Sequence, residues 1–138
     1  MPIETKRLEE GLIYTISKGR PSFGELNGSR DEGIRMLAEA GDKVWVLIMD
    51  VAAAGIPRAD MNSDTLRNVT KQNQMDDLAG YVVIGANPGV RVLMSTYGRM
   101  FKIAMHFEPT LEAALPVART MRDNAKNKVK ATPAPTNN

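Results

Sequence analysis

Apolar positions recur along this chain in two rhythms. Short unbroken runs rich in branched and aromatic side chains predict strands at Leu12-Ile13-Tyr14-Thr15-Ile16-Ser17, Lys43-Val44-Trp45-Val46-Leu47-Ile48-Met49-Asp50-Val51 and Tyr81-Val82-Val83-Ile84-Gly85. The second run is apolar except at Lys43 and Asp50, the pattern of a strand buried on both faces. Residues 3 to 9 have strand-compatible spacing, and the turn at Glu9-Glu10-Gly11 predicts a hairpin whose first strand is an antiparallel edge carrying Lys6, Arg7 and Glu9. Between strands the spacing becomes helical. Phe23, Leu26, Arg30, Ile34 and Leu37 follow a capping box at Ser22-Phe23-Gly24-Glu25 and predict a helix over 22–40, stopped by Gly41. Asn62, Ser63 and Asp64 are competent caps for a helix to about Met75, with a thin apolar stripe and a polar face that includes Asn68. Asn87-Pro88 opens another helix, with Val90, Leu93, Met94, Tyr97 and Phe101 on one side. Lys102 to Phe107 reads as a short strand. Pro109-Thr110-Leu111-Glu112 starts a last helix facing inward through Leu111, Ala114, Leu115, Ala118 and Met121, with Pro116 expected to kink or break it.

The order β-β-α-β-α-β-α-β-α predicts an α/β domain with a mixed, largely parallel sheet of four to five strands, an antiparallel edge strand and about four helices. At 138 residues the chain suits one core. The domain is expected over 1–125, and 126–138, which loses the apolar pattern and ends Pro133-Ala134-Pro135, is expected to be a disordered tail.

Composition narrows the chemistry. The absence of cysteine excludes disulfides and thiolate chemistry, and the single histidine, His106, leaves nothing on which to build a catalytic triad. The net charge of +2 is dispersed and aromatics are few, so no nucleic-acid partner is expected. No apolar run is long enough to cross a bilayer and no apolar signal region opens the chain, which points to a cytoplasmic protein. Nothing in the sequence calls for a cofactor, and none is expected.

Ligands and partners usually meet open α/β sheets at the carboxyl ends of the strands. Here that end comprises Asp50 and the loop Ala52 to Asp60, including Ala54 and Gly55. Asp50 resembles a receiver phospho-acceptor only superficially, since Ser17-Lys18-Gly19 supplies no second acid for Mg²⁺; it is read as an acceptor of backbone hydrogen bonds ordering the next loop. The turn Gly85-Ala86-Asn87-Pro88-Gly89-Val90-Arg91 could cradle a phosphate, but lacks the P-loop Lys-Ser/Thr, and an ordinary capped turn is the better reading. Met61 and Met75 flank the polar helix and suit an adaptable surface. Two readings follow: protein recognition by the loop and helix after the central strand (Met61, Asn62, Asn68), or a small apolar or phosphorylated ligand held between that loop and Asn87, Gly89 and Arg91. An enzyme is not expected.

The opening hairpin, the strand ending Met49-Asp50-Val51 before a polar helix, the second Val-rich strand and Phe107-Glu108-Pro109-Thr110-Leu111-Glu112-Ala113-Ala114-Leu115 together resemble the STAS superfamily. The nearer likeness is to its STAS-like branch, related to bacterial anti-sigma-factor antagonists, over roughly residues 3 to 123. The resemblance implies a regulatory domain that binds another protein, such as a regulatory kinase or an anti-sigma-like factor; a homo-oligomer is also possible. It also implies switching by phosphorylation of a serine at the start of the helix after the central strand. Ser63 occupies that position, with Thr65 beside it, although Asn62 stands where the family has an acid.

Overall fold

The computed structural model describes residues 3–55 and 78–131. Among these residues five strands form one sheet in the order β1-β2-β3-β4-β5: β1 (Ile3–Glu9), β2 (Leu12–Gly19), β3 (Trp45–Ala54), β4 (Leu78–Ile84) and β5 (Met105–Glu108). The β1–β2 pair is antiparallel and the rest are parallel. Three helices accompany them among the described residues: α1 (Phe23–Ala40), α2 (Pro88–Phe101) and α3 (Leu111–Ala131). The helix expected from Asn62 to Met75 lies outside the described residues.

β3 occupies the middle of the sheet, as its composition predicts. Val46 and Ile48 are wholly inaccessible on one face, and Trp45, Leu47 and Met49 are buried on the other. Each such branched side chain contributes ~1.5–3 kcal/mol of burial, so mid-sheet placement is where this run is most stable. The β2-α1-β3 and β4-α2-β5 crossovers step across the sheet in the same direction, and crossovers of one hand then put both helices on one face. Ile34 and Leu37 of α1 and Val90, Met94 and Tyr97 of α2 do share one apolar cluster with Trp45, Leu47, Tyr81 and Val83. α3 folds back over the opposite face, setting Leu111, Ala114, Leu115, Ala118 and Met121 on Leu12, Val46, Ile48 and Val82.

Local signals explain most boundaries. The Ser22 hydroxyl accepts from Glu25 N–H (3.0 Å) and the Glu25 carboxylate accepts from Ser22 N–H (2.9 Å), completing the capping box, while Gly41 ends α1 in the left-handed conformation. Gly33 leaves the room that Ile13 fills, since a Cβ there would lie 2.9 Å from the Ile13 methyl. Arg30, buried in α1, spans to α2: its guanidinium lies 5.5 Å from the Tyr81 ring centre and donates to the Tyr97 hydroxyl (3.4 Å). Burial pushes the Tyr81 hydroxyl well above its ordinary range, which keeps it neutral beside that cation.

Four boundaries differ from the sequence reading. β3 does not end at Val51 but continues to Ala54, because Lys18 and Gly19 of β2 remain available to pair with Ala53 and Ala54. β4 begins at Leu78, three residues before the apolar run. β5 starts at Met105 rather than Lys102, because Lys102 adopts the left-handed conformation that ends α2, and Ile103 N–H closes on the Gly98 carbonyl (2.8 Å). α3 passes Pro116 without a break, with the proline on its exposed side, and runs to Ala131. Lys126, within this helix, is held by Glu10 (3.0 Å), a polar anchor invisible to an apolar pattern.

Candidate functional site

The parallel strands finish together at one end of the sheet, at Gly19, Ala54, Ile84 and Glu108. All three helices also begin there, behind Ser22, Asn87 and Thr110. Asn87 accepts from Val90 N–H through its side chain (2.9 Å), with Pro88 at the first helical position, so this turn is the capped helix start its sequence suggests. Thr110 does the same for α3, its hydroxyl accepting from Ala113 N–H (3.1 Å).

Asp50 sits four residues before the end of β3, next to a bulge. Ile16 pairs with Asp50, yet Lys18 pairs with Ala53, so two residues of β3 oppose one of β2. The side chain orders this irregularity: one carboxylate oxygen accepts from Ala52 N–H (3.1 Å) and the other from the Tyr14 hydroxyl (3.2 Å). Burial first, then the Asp50 charge, raises the Tyr14 pKa, so the phenol stays a donor. With both oxygens engaged internally, Asp50 acts on its own loop, which is the role the sequence suggested.

Beyond the bulge the surface is made of small side chains. Ala52 and Ala53 are exposed. Gly85, with φ +69°, turns the chain off β4 directly against Ala52, where a Cβ would lie 2.7 Å from the Ala52 methyl. Gly55 donates its N–H to the Gly19 carbonyl (2.8 Å) and lies along the stem of Arg20. Ala54, expected on the surface, is instead buried with the α1 and α2 core, because strand alternation resumes after the bulge.

The sequence-predicted residues are thus only partly assembled. Gly55, Asn87 and Gly89 lie at the carboxyl end. Asp50 follows Val46 and Ile48 onto the α3 face, whereas Arg91 lies on the α2 face, 5.0 Å above the Phe107 ring centre, so the two do not form one pocket. Met61, Asn62, Ser63, Thr65 and Asn68 fall outside the described residues. Sequence reasoning missed Tyr14 as the partner of Asp50 and Ala53 as the exposed tip; the first depends on the β2–β3 register and the second on the bulge, and no local motif signals either. His106 is exposed on β5. Among the described residues no group of three acids or histidines could hold a metal ion, and no helix is long and apolar enough to cross a membrane.

No protein-family model matches this chain, and no curated protein matches it.

Proposed function

We propose that this is a STAS-like, non-enzymatic regulatory domain that binds a partner protein through the carboxyl end of its sheet and the segment that follows β3. The observation that carries the reading is the contrast within β3 itself. Its first half is buried on both faces, while its end presents exposed Ala52 and Ala53 beside Gly85, with the nearby Asp50 carboxylate consumed by internal hydrogen bonds. Small uncharged side chains on a strand let another surface approach closely and cost little to desolvate. In the STAS-like reading Ser63 is the regulatory position. A phosphate there would sit at the start of the helix expected to follow, where negative charge is favoured, and would change what the surface accepts while the fold persists.

The test is capture of partners by the tagged chain from its native cells. The partner recovered with the wild-type chain should be lost with Ala53→Arg and with Asn68→Glu. Equal recovery by all three forms would refute the proposed surface. Phosphopeptide mapping of the same material tests the switch, which fails if Ser63 and Thr65 are always unmodified.

A further inference from the structure

The two outer strands of the sheet are finished differently. β1 carries exposed charges of both signs (Glu4, Lys6, Arg7), shifts register between Arg7 and Glu9, and is tied to α1 through the Thr5 and Ser29 hydroxyls (2.8 Å). Such features blunt an edge against further pairing. β5 shows neither the shift nor the mixed charge. The Ala104 and Glu108 carbonyls accept from Tyr81 and Gly85 (2.9 and 3.0 Å), and residues of an extended strand turn their backbone groups alternately to either side. The N–H and C=O of Met105 and Phe107 therefore face the side of the sheet on which no further strand lies among the described residues.

α2 overhangs this edge. Gly98 rests on Met105, where an added Cβ would come within 3.2 Å of its methyl, and Arg91 lies over Phe107. These two contacts fix which side of α2 looks toward β5; Arg99, eight residues after Arg91, lies about 80° further round the helix on the solvent side. Lys102 ends α2. All three cations are exposed, and none forms an ion pair among the described residues. From Gly85 to Phe107 the chain contains no aspartate or glutamate, and the one acid of β5 is Glu108 at its far end.

We propose that β5 accepts an extended acidic segment of a partner protein as an added strand, with Met105 and Phe107 supplying the main-chain hydrogen bonds and the α2 cations reading the charge. This is a second interface, distinct from the carboxyl-end surface. A second copy of the chain is the poorer occupant: joining β5 to β5 about a two-fold axis would set two acid-free α2 helices side by side.

The full-length chain, labelled with ¹⁵N, is titrated with a synthetic peptide of alternating glutamate and valine and with its lysine counterpart. The acidic peptide should shift and protect the Met105 and Phe107 amides, and the lysine peptide should leave them unmoved. Binding should weaken as salt is raised and become roughly ten-fold weaker in the exposed double variant Arg99→Glu, Lys102→Glu. Should that variant fail to fold, the salt dependence of the wild-type chain carries the same test. An acidic peptide unbound at millimolar concentration, shifts centred away from β5, equal binding of both peptides, or affinity indifferent to salt and to charge reversal would each overturn the proposal.

Discussion

The two ends of the parallel strands are built on opposite plans. At the amino end, the β1–β2 turn and the α1–β3 link are cross-braced by long side chains. Asp42 takes a bidentate pair from Arg7 (2.9 and 3.0 Å) and also accepts from Gly11 N–H (3.0 Å). Arg122 donates to the Glu9 carboxylate and to the Glu10 carbonyl (both 2.7 Å), Arg119 joins it on Glu9, and Lys126 reaches Glu10. Three of these cations, Arg119, Arg122 and Lys126, come from one helix, α3. At the carboxyl end, alanines and glycines meet capped helix starts, and Asp50 is engaged by Tyr14 and Ala52 with no ion pair among the described residues. Among the described residues, one end is held together by ion pairs and the other presents small side chains. Substitutions at the first should therefore move stability, and substitutions at the second should move binding.

The largest effect is expected at Gly11. Its φ of +70° disfavours any other residue, and a Cβ there would lie 2.5 Å from the Val44 carbonyl oxygen. Gly11→Ala should cost about 3 kcal/mol or more, read as a lower urea midpoint, with partner binding intact at temperatures where the protein stays folded. An unchanged midpoint would mean that the amino end is not braced as described.

Next comes Asp42→Ala, which strands the buried Gly11 N–H and should cost about 2 kcal/mol. The same carboxylate makes stability pH-dependent. Its hydrogen bonds to Arg7, with a smaller contribution from Gly11 N–H, hold the Asp42 pKa below the usual carboxylate range, and Arg119 and then Arg122 do so for Glu9. A depressed folded pKa means that the contribution is complete above the unfolded value, around 4, and is lost as pH falls through the folded one. The urea midpoint should thus decline below about pH 4, and less steeply in Asp42→Asn. Parallel curves for the two proteins would locate the acid sensitivity elsewhere.

How much of this contrast can be read from the sequence depends on the range of the interactions involved. The double burial of β3 is legible because Val46 and Ile48 need no partner to declare themselves. The Ser22 capping box and the Asn87-Pro88 start are legible because every participant lies within a few residues. The amino-end bracing joins Glu9 to Arg122 and Arg7 to Asp42 across long stretches of chain, and surface charges at such separations look like ordinary solvated residues. That is why the apolar pattern fades near Lys126 while the helix continues to Ala131. The bulge after Asp50 escaped for a related reason. It arises from register against Ser17 and Lys18, and it reverses which alanines point outward, burying Ala54 and exposing Ala52 and Ala53.

The smallest stability effect is expected at the carboxyl end, where the effect on recognition is greatest. Ala53→Arg places a long side chain on an exposed position and should change stability by less than about 0.5 kcal/mol. The same change should abolish partner capture, whereas Lys43→Glu, exposed at the opposite end, should leave capture unaltered. Loss of capture in both, or in neither, would erase the distinction between the ends.

Hydrogen exchange followed residue by residue, in the free chain and in the chain bound to its captured partner, addresses that distinction most directly. New protection is predicted at 50–55 and 85–89, with no change at the turn 9–11 or the link 41–44. Protection arising at the braced turn and link, with 50–55 and 85–89 exchanging as in the free chain, would contradict the assignment of recognition to the carboxyl end.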